Sequence, residues 1–423
     1  MNTSAYRQQN WIERLFWPTL AVYLFVLPIA HTTALRYLAF ILLIIFTVAL
    51  SLRQRTIPTL PFYPYWLVYF GVASISVAFA VDPAMSFSEL RVEVVYWIVI
   101  FMIGVTWGKQ LYDFRRLVIF LAVMNAVLTL SAFYYARLDM DFGTIMSIPK
   151  FAYAGMDGNW LLIAMFLIGW LIHQLWRSGG RSVPFILVLL LLLDIWAMMA
   201  TQNRQNLIAL GVGISVGAVL ILRQRVTPQR FMLFSGLLLC VAALFLIQST
   251  RRVEYVLPAS TTEIATTATA SEIAGSIGDS LSADVRPQLW AFSITKIAEN
   301  PWIGGGIGRQ VFDFLYPEFM PENGMLWHTH NMVLNKGIQM GIPGMLAFLW
   351  LWVALAIALL RHTSPSGNSQ GLAIAGLAAL AAIFAKNMTD DFFVRNVALF
   401  FWLVMGLLIG HLQKNIGLRL GNE

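Results

Sequence analysis

Charge is scarce in this sequence. Of its 423 residues only 12% are Asp, Glu, Lys or Arg, against 59% that are hydrophobic. A soluble domain carries about twice that share of charge, so a soluble fold of this length could not cover its surface. A disordered or nucleic-acid-binding chain is excluded on the same ground. Cysteine is almost absent: Cys240 stands alone inside an apolar run, which excludes a disulfide framework and a thiolate metal site. No P-loop occurs, so the sequence offers no nucleotide-phosphate cradle. What is abundant is long apolar runs, with a mean hydropathy of +0.71. The pattern is that of an all-α polytopic membrane protein.

A helix needs about twenty mainly apolar residues to cross the hydrocarbon core, because unsatisfied backbone groups are costly in lipid. Twelve runs qualify, near 16–30, 33–52, 62–80, 92–107, 116–136, 159–176, 183–200, 206–222, 231–248, 332–360, 371–387 and 396–412. The first resembles a secretory signal, but a second run follows at once without a small-residue cleavage site, so it is read as retained. With the N-terminus inside, the inner connections hold fifteen of the 28 basic residues, among them Arg53, Arg115, Arg181, Arg223 and Arg361. The short outer connections hold seven: Arg36, Arg91, Arg137, Lys150, Arg204, Lys386 and Arg395. This bias orients both termini toward the cytoplasm. The one long connection, about 249–330, then falls outside and divides the chain into 1–248, 249–330 and 331–423. Its stretch 259–283 is rich in Ala, Ser and Thr, which suggests a mobile segment or weak helix. From Arg286 the apolar residues recur at helical spacing as far as Pro301.

The groups able to do chemistry gather on the outer side. His328, His330 and Asn331 stand immediately before the tenth run. Asn331 and Thr329 are good helix caps, and a cap role for this segment is slightly favoured over catalysis. A neutral imidazole near a helix start can nonetheless take a proton from a sugar hydroxyl. Arg204, in the turn Thr201–Asn206, and Arg286, four residues before Trp290, sit where the positive-inside tendency disfavours them. Arginine grips phosphate with two parallel hydrogen bonds in a partly dehydrated site, and headgroup contact is the alternative. Asp390 and Asp391, between the last two runs, either orient the histidine, steer a hydroxyl, neutralise an arginine or serve as solvated loop acids. The Asp139-Met140-Asp141 triplet resembles a D-x-D metal motif but has no further ligands nearby. The glycines at 304, 305, 306 and 308 suit a tight turn better than an anion nest. Asp194, inside the seventh run, is expected to face the interior and bond a neighbour.

These features resemble the O-antigen ligase family and its wider superfamily of bacterial membrane oligosaccharide ligases and polymerases. Asn203-Arg204-Gln205 corresponds to the family's turn after the seventh span. Arg286 and Trp290 match its R-x-x-x-W, and Asn300 to Gly306 its N-P-x-x-G-x-G. His328-Thr329-His330-Asn331 matches its histidine motif, followed by the break Gly341-Ile342-Pro343-Gly344. Asp390 or Asp391 fits its acidic residue before the last span. One departure is that Asn203 and Gln205 replace the small residues beside the first arginine. The resemblance implies a glycosyltransferase bundle of about twelve helices with a large periplasmic loop between spans nine and ten. It implies inverting, metal-independent transfer from an undecaprenyl-diphosphate-linked glycan to lipid A–core at the periplasmic face of the bacterial inner membrane, without a cofactor. His330 would be the base, with Arg204 and Arg286 on the diphosphate. His328, Asn331, Asp390, Asp391, Arg91 and Trp290 are the expected substrate-binding residues, and membrane lipid the surrounding partner.

A polymerase or a ligase that glycosylates protein would use the same groups. A transporter of lipid-linked saccharide would instead need ionisable residues near midplane and paired broken helices, and no internal repeat is visible.

Overall fold

The computed structural model describes residues 11–29, 31–136, 154–200, 203–223, 227–256, 286–317, 328–364, 369–389 and 391–420. Asp139, Asp141, Asp390 and the 259–283 segment lie outside the described residues. The helices are α1 (Trp11–Val26), α2 (Thr33–Gln54), α3 (Tyr63–Ala78), α4 (Pro83–Leu90), α5 (Tyr96–Gln110), α6 (Phe114–Ala136), α7 (Ala154–Arg177), α8 (Ser182–Ala200), α9 (Arg204–Leu222) and α10 (Pro228–Val256). The remainder are α11 (Arg286–Glu299), α12 (Val311–Leu315), α13 (Met332–Leu360), α14 (Gln370–Thr389) and α15 (Arg395–Leu420). No strand occurs among the described residues.

Eight helical spans among the described residues are long and apolar enough to cross a membrane: α2, the run through α4 and α5, α7, α8, α9, α13, α14 and α15. The other four expected spans fall on α1, α3, α6 and α10, which are not among these eight; α6 and α10 have 23 and 29 residues. α1 and α3 have 16 residues each, about 24 Å of helix against a core of about 30 Å. The fourth span starts earlier than its apolar run because Asp82 caps it, accepting from the Met85 N–H at 2.9 Å, and Pro83 occupies the first turn. A π turn at Arg91–Val95 joins α4 to α5 and turns Glu93 into the bundle while Arg91 stays exposed.

α15 is the enclosed centre, and it packs most extensively on α5. Glycines at four-residue spacing on both helices make that contact close. A methyl on Gly410 would lie 2.2 Å from the Val105 carbonyl oxygen, and one on Gly108 2.3 Å from that of Leu407. Lipid tails are as apolar as the helices, so such backbone approach supplies the packing that a hydrophobic driving force would supply in water. Asp194 is buried as expected, its carboxylate accepting from Asn125 at 3.1 Å and Thr129 at 2.7 Å and tying α8 to α6.

α13 is broken one third of the way along. Gly341 has φ 67° and ψ −171°, and Pro343 follows. The glycine-rich turn fills the break: Gly305 and Gly306 N–H groups donate to the Ile338 and Gln339 carbonyls at 2.9 and 3.0 Å, and Ile342 N–H donates to Pro301 at 2.8 Å. The freed backbone groups are thereby satisfied within the protein. The turn is a docking element, with these two N–H groups spent on α13 rather than open to an anion. α11 and α12 cover the start of α13 through a small core of Leu289, Ile297, Val311, Phe312 and Ile338.

Candidate active site

The start of α13 organises the candidate site. Asn331 caps the helix, its side-chain oxygen accepting from Val333 and Leu334 N–H at 3.0 Å each. Thr329 Oγ1 donates to the Asn331 carbonyl at 2.8 Å, so the cap reading of this segment holds. The cap does not use the histidines. His330 sits at φ 50°, in the left-handed region that a non-glycine residue rarely adopts, and its ring lies 4.0 Å centroid to centroid from that of His328. Trp290 Nε1 donates to the Thr329 carbonyl at 3.0 Å and so pins this turn to α11. Arg286 is one helical turn before Trp290, half-buried at the start of α11. Trp290, expected at the substrate, thus holds the histidine turn with its only polar group.

Arg309, directly after the glycine-rich turn, faces His328. Its Nη2 lies 2.8 Å from His328 Nε2 and also donates to the backbone carbonyl of Asp391, while its guanidinium rests 5.3 Å from the centre of the Phe392 ring. A guanidinium has no lone pair to offer, so His328 Nε2 accepts and its proton stands on Nδ1. The Asp391 carboxylate accepts from Asn335 Nδ2 at 2.9 Å and from the Phe393 N–H at 3.2 Å. Burial pushes this carboxyl above its usual range, and Arg309 and then Lys336 pull against that shift. Asp391 therefore anchors the α14–α15 connection to α13, with its backbone carbonyl on Arg309.

One layer deeper, Lys336 Nζ meets Glu93 Oε2 at 2.6 Å and donates to Gln339 Oε1 at 2.9 Å. Gln339 Nε2 donates to the Gly308 carbonyl at 3.0 Å, immediately before Arg309.

Arg204 is buried at the first turn of α9, which Asn203 caps by accepting from Gln205 N–H at 3.2 Å. The departure at Asn203 is thus a helix cap. The turn reaches the same end of the bundle through asparagines. A methyl on Gly158 would lie 2.1 Å from Asn206 Oδ1, and the next residue, Asn159, accepts from Asn387 Nδ2 at 2.8 Å. Asn387 Oδ1 in turn accepts from the Phe392 N–H at 3.0 Å, and Phe392 carries Lys386 Nζ at 5.6 Å as well as Arg309. Arg91 is exposed on the π turn, with Glu89 a charged neighbour.

Arg309, Lys336, Asn159, Asn335 and Asn387 did not emerge from the sequence reading. One signal was available: Asn331, Asn335 and Gln339 recur every four residues in an otherwise apolar span, which puts polar groups on one face. Arg309 carries no such mark. Among the described residues no group of three His, Cys, Asp or Glu side chains could hold a metal ion.

No curated protein matches the chain in sequence. A family model described as O-antigen ligase matches residues 187–349, a stretch that contains Arg204, Arg286, the histidine turn and the break in α13. Over that stretch the chain is similar to the O-antigen ligase family.

Proposed function

We propose that the chain ligates a polysaccharide from an undecaprenyl-diphosphate donor onto lipid A–core at the periplasmic face of the inner membrane. The family match over residues 187–349 supports the coarser reading, a membrane glycosyltransferase of the ligase or polymerase type. The observation supporting the finer reading is the histidine turn itself: a left-handed His330 whose ring lies 4.0 Å from that of His328, one helical turn of α11 away from Arg286, at the bundle end that Arg204 also occupies.

In the proposed reaction His330 takes the proton of the acceptor hydroxyl as that oxygen bonds to the anomeric carbon. The anomeric C–O bond to the diphosphate breaks, and its electron pair leaves on the diphosphate oxygen. Arg204 and Arg286 stabilise that developing charge more than the bound donor, which is what accelerates the step. In-line attack inverts the anomeric centre and requires no enzyme nucleophile. A transporter would find support in the break of α13 and the buried Lys336–Glu93 pair. Both are internally satisfied, by residues 301–306 and by each other, which favours the enzyme.

The test is purified protein in lipid nanodiscs with a synthetic lipid-diphosphate glycan and core acceptor. Product on core supports ligation, and product on a second lipid-linked chain makes the protein a polymerase. His330→Ala should bind donor yet lose transfer by about a hundred- to ten-thousandfold; full activity in that variant removes the base assignment.

A further inference from the structure

The polar chain behind the histidines ends on one residue. From α13, Lys336 holds Gln339, and Gln339 holds the Gly308 carbonyl. From the same helix Asn335 holds Asp391, whose carbonyl takes Arg309. Phe392 lies against the guanidinium, with Lys386 also over its ring. Arg309 is thus fixed from the glycine-rich turn, from α13 and from the α14–α15 connection, and it directs Nη2 at His328 Nε2 at 2.8 Å. Holding a side chain from three elements gives it one geometry, which is what a group acting on another group's protonation needs.

We propose that Arg309 is a positioning residue for the glycosyl transfer. It keeps His328 neutral with its proton on Nδ1, so that the ring lying 4.0 Å from that of His330 carries no charge and holds the base in one orientation. The inference rests on the proposed role of His330. Protonating His328 would place a second donor against a guanidinium that can only donate, so the contact opposes it. The charged residues on the neighbouring elements are Arg286 and Lys296 on α11, Asp313 on α12, Glu89 on α4 beside Gly308, and Lys386 at the end of α14 over the Phe392 ring. Asp391 offsets part of the Arg309 charge, and the deeper Glu93–Lys336 pair is neutral as a unit. Arg309 is the one of these that touches a histidine ring in a described contact.

The experiment is the pH dependence of single-turnover transfer by the full chain in nanodiscs, for wild type, Arg309→Gln and Arg309→Lys. The ascending limb, where the histidine turn loses its proton, should move about one pH unit higher in Arg309→Gln because His328 is then free to protonate, with the rate falling about tenfold below the limb and recovering above it. Arg309→Lys should keep the limb in place and lower only the plateau, because the charge remains while the planar fork is lost. A lower plateau with an unmoved limb in Arg309→Gln would reduce the residue to a structural strut and overturn the proposal. If Arg309→Gln does not insert, Arg309→Lys decides alone: a limb displaced upward there overturns it. Wild type without transfer, or His330→Ala with a full ascending limb, would refute the His330 reading instead, so the two failures are distinct.

Discussion

The Lys336–Glu93 pair gives the sharpest quantitative test of the structure. The contact is 2.6 Å, and the two side chains are only 6% and 2% exposed. Lys336→Met keeps the length of the side chain but removes its charge. Glu93 must then stay charged without a partner or take up a proton, and Gln339 loses the donor on its carbonyl side. Breaking one half of a buried pair costs about 3–5 kcal/mol, whereas replacing both halves with apolar groups of similar size is often neutral. Glu93→Leu combined with Lys336→Met should therefore recover most of the loss seen in either single variant. The assay is reversible unfolding in mixed detergent micelles, read as a double-mutant cycle with the coupling energy as its output. Stability in Lys336→Met equal to wild type, or a double variant as damaged as the sum of the singles, would refute the buried pair. A weakened Gln339–Gly308 bond should also depress transfer in the double variant, since Arg309 follows Gly308, so stability and activity should separate.

Two further outcomes follow from the same geometry. Arg286→Lys should lose transfer almost as severely as Arg286→Ala, about 2–4 kcal/mol in the barrier, because an ammonium cannot reproduce the paired hydrogen bonds to phosphate. Near-equal rates for wild type and Lys would show that charge alone suffices. Gly410→Val should lower the melting temperature and the yield of folded protein, because the close α5–α15 approach leaves no room beside the Val105 carbonyl. Gly236→Ala, where nothing lies within 4 Å of an added methyl, is the matched control.

Much of the architecture was legible in the chain itself, because in lipid the requirement to satisfy backbone groups turns long apolar runs into helices. Gly341 and Pro343 marked the break in α13, and Asn203 and Asn331 marked helix starts, since such effects act over a few residues. The glycine run at 304–308 was also readable as a turn. The identity of Arg309 as the neighbour of His328 was not, because the two stand nineteen positions apart on a connection whose docking depends on carbonyls freed by that break. Trp290 was read as a substrate contact from its place in a motif, and only packing revealed its bond to Thr329.

The sequence by itself determined that this is an all-helical membrane chain and which residue types stand ready for phosphate and proton transfer. Local spacing and the cost of unpaired backbone in hydrocarbon suffice for that. Tertiary structure alone decided which of those residues meet. It joined Glu93 to Lys336 across 243 positions and Asn159 to Asn387 across 228. Such partners are chosen by how helices pack and where one of them breaks, and no interval along the chain encodes that choice.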